Sequence, residues 1–356
     1  MGMAREALLY HGDDTVAGSV VCDLCHHRCR IAAGQYGRCR ARKNDDGRLM
    51  TLVYGRCMFH KPTPIESKPL LHFLPGSRTL SFCTAGCNFK CPFCQNHKSS
   101  QCLRDSDVTQ PHGEDVTPQH IVEDALESNC LSVSATWTEP TVFFEYVLDA
   151  ARLARAEGLA VCIVSNGNMT PEALDLILPW IDAANIDLKS FNPEVYRETP
   201  GGDLEGVLET LKRLHGAGVW VEVSTLFVPG MNDSHDEMRQ IAKFIAELSA
   251  DIPWHPNCAH PAYRMMDMPH DPLPLTQKAI DIGRAAGLHH VYTFEHFESD
   301  EYRETLCVHC GEVLIERARW AATAKYLTAG GDCPSCGAHC AGVWARPEAE
   351  PRDPTR

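Results

Sequence analysis

The chain has 356 residues, 44% of them hydrophobic, with 33 basic and 47 acidic residues and a formal net charge of −14. That length suits one large globular domain with small appendages, and the acidic balance argues against a nucleic-acid partner, whose phosphates call for basic patches. No apolar run approaches the roughly 20 residues that span a bilayer, and the N-terminal MGMAREALLYHGDD carries acids where a signal peptide is apolar. The sequence therefore reads as cytoplasmic, with no membrane partner. Of its 18 cysteines, eight fall in four Cys-x2-Cys pairs, which favours metal sites over disulfides.

Residues 1–70 read as an N-terminal Cys-rich module and linker. Cys22-x2-Cys25-x3-Cys29-x9-Cys39 sets four thiols within eighteen residues, interleaved with His26 and His27, while Gly34 and Gly37 supply turns. So small a piece has no adequate core of its own, and bound metal is expected to order it. Zinc and an auxiliary iron–sulfur cluster both fit, since both take Cys thiolates. Cys57 lies outside this spacing and reads as structural. Arg38, Arg40, Arg42 and Lys43 read as a solvated basic loop. Pro62, Pro64, Pro69 and Pro75 then punctuate an extended linker, in which Glu66 and Lys68 either line the mouth of the active site or dock the linker, with docking the favoured reading.

Residues 71–297 alternate β-branched apolar runs with helical patterns. The first run, Leu80-Ser81-Phe82, leads through Ala85 and Gly86 into Cys87-Asn88-Phe89-Lys90-Cys91-Pro92-Phe93-Cys94-Gln95-Asn96. Thiols at this spacing can converge from one loop on three corners of a cubane iron–sulfur cluster and leave one iron open. Cys83 adds a thiol upstream; a fourth ligand would close that iron, and a Cys at a strand end reads instead as a small buried hydrophobe. Further strands are expected at Leu131–Thr136, Leu159–Ser165, Ala183–Lys189, Val219–Phe227, Ile252–His255 and His290–Phe294. Thr117-Pro118 and Thr170-Pro171 mark helix starts, Ser234 with Glu237 has the form of a capping box, and Gly158 and Gly287 mark helix ends.

This alternation predicts an α/β fold, a partial (β/α)6 barrel with small Cys-rich metal-binding modules at both ends. Chemistry in such barrels collects at the carboxyl ends of the strands. Four polar motifs fall there: Thr136-Trp137-Thr138-Glu139-Pro140-Thr141, Ser165-Asn166-Gly167, Asp187-Leu188-Lys189 and Trp254-His255. The Glu139 carboxylate suits either a bound ammonium or a helix N-terminus. Strand alternation puts Asp187 and Lys189 on one face and Leu188 on the other. His260, His270, His289 and His290 read as solvated or core histidines.

In the C-terminal module, residues 298–346, Cys307-x2-Cys310 and Cys333-x2-Cys336 have the two-knuckle spacing of a zinc ribbon, with Gly311 and Gly337 in the turns. Cys340 and His339 are spare candidates. Residues 347–356 are Pro- and charge-rich and read as a disordered tail.

The Cys87–Cys94 spacing, with an aromatic before the third Cys, resembles that of radical SAM enzymes. The longer runs PIESKPLLHFLPGS and CNFKCPFCQN are similar to those of the radical SAM member of the AmmeMemoRadiSam group, a relative of the pyruvate formate-lyase activating enzymes. The resemblance runs from Cys22 to Cys336. It implies a 4Fe-4S cluster on Cys87, Cys91 and Cys94 whose open iron chelates S-adenosylmethionine (SAM). One electron then cleaves SAM to methionine and a 5′-deoxyadenosyl radical, which abstracts hydrogen from a substrate.

On that resemblance Phe93, Gln95 and Asn96 belong to the cofactor site, Glu139 takes the SAM ammonium, and Ser165 and Asn166 meet its ribose or carboxylate. Asp187 and Lys189 line the same site and His255 contacts SAM. Thr138 stands where the family usually has Asn, and Pro256-Asn257-Cys258-Ala259-His260 where it tends to have Ser-Arg-Phe, a departure on the substrate side. The implied partners are a small-molecule or protein substrate, an electron donor such as flavodoxin or ferredoxin, and Memo-like and AMMECR-type companion proteins. Two other functions compete: an activase installing a glycyl radical on a protein partner, and a non-catalytic iron–sulfur and zinc scaffold or redox sensor.

Overall fold

The computed structural model describes residues 4–105, 112–295, 302–318 and 321–346. The module boundary expected at 298 and the tail expected at 347–356 lie outside the described residues.

Two small antiparallel sheets build the N-terminal segment. One joins β1 (Arg5–Glu6), β5 (Arg42–Asp45) and β6 (Arg48–Thr51); the other joins β2 (Tyr10–Gly12), β3 (Val20–Cys22) and β4 (Arg30–Ile31). Val20, Leu24, Ile31, Ala41, Leu49 and Val53 are buried between them and the rest of the chain.

The main sheet has eight strands. Six are parallel: β8 (Arg78–Thr84), β10 (Ser132–Ala135), β11 (Ala160–Ser165), β12 (Ala183–Asp187), β13 (Trp220–Phe227) and β14 (Trp254–Cys258). β7 (Arg56–Pro64) runs antiparallel beside β8 and β9 (Glu114–Asp115) antiparallel beside β7, giving the order β14-β13-β12-β11-β10-β8-β7-β9. Each parallel strand neighbours its successor and, among the described residues, the two ends do not pair, which is the open, partial barrel that the strand–helix alternation predicts.

Helices connect these strands: α1 (His97–Ser100), α2 (Cys102–Asp105), α3 (Pro118–Glu127), α4 (Phe144–Ala156), α5 (Pro171–Ile177), α6 (Pro193–Glu198), α7 (Leu204–Gly216), α8 (His235–Leu248) and α9 (Pro272–Ala285). Thr117, Thr170 and Ser234 cap α3, α5 and α8 as their sequences predict, each side chain accepting a backbone N–H. The capping box at Ser234 is only half formed, because Glu237 turns its carboxylate to the Phe191 N–H at 2.8 Å. On the sheet, Phe82 meets the edges of Phe143 and Tyr146 with ring centroids 6.0 and 5.4 Å away, pairs worth about 0.5–1.5 kcal/mol each beyond area burial. No helix among the described residues is long and apolar enough to cross a membrane. A third antiparallel sheet, β15 (Thr305–Leu306), β16 (Val313–Ala318) and β17 (Ala321–Lys325), carries the C-terminal cysteines.

Four sequence expectations are corrected. The segment containing Pro62 and Pro64 is strand β7, paired antiparallel from Cys57↔Thr84 to Pro64↔Arg78, and not a linker. Its prolines are tolerated because its outer side is paired only near Arg56 and Cys57. The sixth parallel strand begins at Trp254 and continues through Pro256 to Cys258, so His255 sits within it and not at its end; Pro256 is accepted because β14 is an edge strand. The run His290–Phe294 is reduced to a bridge, Trp254↔Val291. Arg42, expected in a solvated loop, is 1% exposed and its guanidinium meets Glu145 of α4 at 2.5 Å.

Candidate active site

The Cys87–Cys94 loop leaves the carboxyl end of β8, where a strand end exposes its turn to the mouth of the barrel. Gly86 takes φ +101°, a backbone conformation that L side chains rarely adopt. Cys87 and Cys91 are buried and Cys94 partly so. Burial pushes the Cys87 thiol well up and Cys91 to about 12, so displacing their protons takes a strongly bound metal. Donors already face the sulfurs: Phe89 N–H at 3.3 Å and Asn166 Nδ2 at 3.8 Å from Cys87 Sγ, and Ser100 Oγ at 3.2 Å from Cys94 Sγ.

The three sulfurs do not all lie within 4.8 Å of one another. Four thiolates sharing one zinc at about 2.3 Å would stand about 3.8 Å apart, closer than these three stand as a set, whereas thiolates on the separate irons of a cubane need not crowd together. Cys83, within β8, is 1% exposed and packs in the main core, with Cys57, Lys68 and Cys102 among its electrostatic neighbours. Its burial raises it to about 12.

The other strand ends close around this loop. Glu139 is 1% exposed; Oε1 accepts Ser165 Oγ at 2.7 Å and Thr141 Oγ1 at 2.6 Å, and Oε2 accepts the Asn166 N–H at 2.8 Å. Burial raises its pKa against those bonds. The carboxylate therefore ties the loop after β10 to the loop after β11, with Oε2 the less committed oxygen. Ser165 is spent in the same knot, its hydroxyl also accepting the Gly167 N–H at 3.0 Å. Asn166 joins the knot to the thiol loop by donating to Asn88 Oδ1 at 2.7 Å.

After β12, Lys189 Nζ pairs with Asp187 Oδ2 at 2.8 Å while Leu188 is buried in the core, as alternation requires. Burial opposes the Lys189 charge, but Asp187 and Cys91 outweigh it and hold its pKa above the ordinary value. Phe93 is 3% exposed, Asn96 half-buried and Gln95 exposed. Asn96 Nδ2 donates to the Trp137 carbonyl at 3.3 Å.

His255 lies within β14. It is 0% exposed and its Nε2 meets Glu222 Oε2 at 2.7 Å, leaving Nδ1 buried without a partner among the described residues. Glu222, which the sequence reading left without a role, also accepts the backbone N–H groups of Leu71 and His72 at 3.0 and 2.8 Å and Trp220 Nε1 at 3.0 Å. An acid in the middle of an apolar strand was the available signal.

The pair read as docking residues divides. Glu66 docks, accepting the Gly76 N–H at 2.6 Å and the Ala322 N–H at 3.3 Å. Lys68 is 1% exposed and meets no carboxylate among the described residues; its Nζ lies 5.2 Å from the Trp137 ring centroid, and burial lowers its pKa to about 8. A lysine with no carboxylate partner among the described residues, buried beside a strand-end loop, fits the other role the sequence left open, a residue at the mouth of the site.

At the far end, Cys307 Sγ lies 3.6 Å from Cys336 Sγ and Cys310 Sγ 3.6 Å from Cys333 Sγ, with all four within 4.8 Å. That is the compact set of a single tetrahedral ion. Cys340 lies outside it and groups with His72 and His290. Both His72 nitrogens are already hydrogen-bonded, to the Ala341 carbonyl and the Tyr292 hydroxyl.

Comparison with known proteins accords with this geometry. A family model described as the Radical SAM superfamily matches residues 81–245. The chain is 38% identical to the uncharacterized protein MJ0808 of Methanocaldococcus jannaschii, over 88% of this chain and 91% of that protein. It is 26% identical to pyruvate formate-lyase 1-activating enzyme of Escherichia coli (strain K12), over 49% of this chain and 70% of that enzyme. Among solved structures, Streptococcus suis SuiB bound to S-adenosylmethionine aligns with a TM-score of 0.48 at 14% identity, covering 66% of this chain and 53% of SuiB.

Proposed function

This chain carries a Radical SAM superfamily domain and belongs to one family with the archaeal protein MJ0808, and from that premise we propose that it uses Cys87, Cys91 and Cys94 to hold a 4Fe-4S cluster with one iron left for SAM. The observation that carries the reading is the three-thiol loop at the end of β8, faced by Asn166 from the loop after β11 and Lys189 from beyond β12. Such a cluster, when bound, supplies the electron that cleaves SAM to methionine and a 5′-deoxyadenosyl radical able to take hydrogen from a substrate.

The chain's own residues do the rest. Asn166 and the Phe89 N–H stabilise thiolate charge on Cys87, and Lys189 does so for Cys91. The Glu139 knot fixes the loops that would receive the methionyl and ribose groups, and Oε2, the less committed oxygen, would take the ammonium. Lys68 presents an amine toward a carboxylate or carbonyl of the substrate. Burial of the thiols and of Glu139 keeps water from the reacting centre. We assign His255 a positioning role, since Glu222 holds its Nε2.

The narrower reading, a member of an AmmeMemoRadiSam-type system with Memo-like and AMMECR-type companions and a flavodoxin- or ferredoxin-class donor, is supported by the PIESKPLLHFLPGS and CNFKCPFCQN runs. The C-terminal thiols take zinc, a reading supported by their 3.6 Å spacings. The test is anaerobic reconstitution followed by reduction in the presence of SAM. Formation of 5′-deoxyadenosine separates an enzyme from a scaffold, and a glycine-centred radical on an added protein partner, seen by electron paramagnetic resonance, would identify an activase.

A further inference from the structure

We propose that Cys22, Cys25, Cys29 and Cys39 hold a second cubane iron–sulfur cluster, saturated by four protein thiolates, that passes electrons to the Cys87 loop. The two four-thiol sets of this chain differ in a way that separates zinc from a cluster. The C-terminal sulfurs all lie within 4.8 Å of one another, whereas no three of the N-terminal sulfurs do. Instead these four thiols surround one cavity. Thiolates sharing a single ion must crowd together, while those on a cubane sit on different irons at its corners and enclose a volume.

The cavity wall suits an anionic cluster. Arg42 Nη1 lies 3.9 Å from Cys22 Sγ and the Arg38 N–H 3.5 Å from Cys29 Sγ, and such donors to sulfur favour the reduced state of a cluster. The module's apolar residues pack into the main core, and Arg42 fastens it to α4 through Glu145, so a metal there is not confined to stapling.

Position gives the role. Asn88 and Thr141 line the same cavity, and these residues adjoin Cys87 and the Glu139 knot. His27 Nε2 donates to the Asn88 carbonyl at 2.9 Å. Arg104 Nη2 bridges the two thiol loops, donating to the carbonyls of Arg38 at 3.0 Å and Cys87 at 2.8 Å. A cluster here has no open iron for a substrate, but Asn88, next to Cys87 in the chain, forms part of its wall. The step balances as one electron from a low-potential one-electron donor into this cluster, then the same electron onward, with no bond made or broken.

The test uses the full chain, reconstituted anaerobically with iron and sulfide. In a variant combining Cys87→Ala, Cys91→Ala and Cys94→Ala, about four irons and four sulfides per chain should remain, with a reduced-state electron paramagnetic resonance signal that added SAM does not change. In a Cys25→Ser, Cys29→Ser variant iron should fall to about half the wild-type value, with the SAM-responsive signal kept. Circular dichroism and retained C-terminal zinc check that both variants fold. A triple variant without iron, or with two zinc ions per chain, would overturn the proposal. These readouts need no SAM cleavage, so they stand or fall apart from the function proposed above.

Discussion

The Arg104 guanidinium donates to the Cys87 carbonyl at 2.8 Å. Its other terminal nitrogen reaches the Phe89 carbonyl and Gln101 Oε1 at 2.5 and 2.7 Å. A residue from α2 thus holds the backbone around the first thiol in a planar fork that an ammonium cannot reproduce. Arg104→Lys should lower the iron retained after reconstitution and speed its loss to a chelator several-fold, while the thermal transition of the barrel moves little. Iron loss at the wild-type rate would show that the fork does not hold the loop.

Lys68 gives a prediction with a pH signature. Burial lowers its pKa from 10.5 to about 8. Below pH 8 both folded and unfolded chains carry the proton, and the folded chain bears the full cost of burying the charge. Between about 8 and 10.5 the unfolded chain binds more protons, so that cost fades as pH rises. Lys68→Met should therefore stabilise the protein by about 3 kcal/mol at pH 7, and the gain should shrink by pH 9.5. Urea unfolding at the two pH values measures it; a variant that is less stable at pH 7 would contradict an unpaired buried charge.

Arg42 and Glu145 are 1% and 2% exposed and form a salt bridge between the N-terminal module and α4. Arg42→Ala leaves the carboxylate buried without its partner, a loss of about 3–5 kcal/mol. Arg42→Met with Glu145→Met should recover most of that stability in chemical denaturation. Equal losses in the single and double variants would contradict the pairing.

How far the chain could be read beforehand followed the range of the interactions involved. The six parallel strands and the caps at Thr117, Thr170 and Ser234 were legible because each depends on residues only a few positions apart. Strand β7 was not, since its prolines read as breakers until the sheet edge that tolerates them is known. Glu222 and the Lys68 amine were also hidden. The first draws its partners from residues 71, 72, 220 and 255, and the burial of the second is set by packing between distant segments. The thiol motifs were legible as metal sites, but whether four sulfurs crowd one ion or enclose a volume is a property of the folded loops.

The C-terminal thiols should behave as a separate unit. Cys310→Ser with Cys336→Ser should release one zinc per chain and raise hydrogen exchange in β15–β17 by at least tenfold. The barrel strands should keep their protection. Uniform loss of protection would show that the ribbon staples the whole chain.

The most direct measurement is the yield of 5′-deoxyadenosine when the iron-loaded protein is reduced with SAM present. The account predicts formation by the wild type and none above background by Cys91→Ala. A wild-type protein that holds its full iron and leaves SAM intact would contradict it.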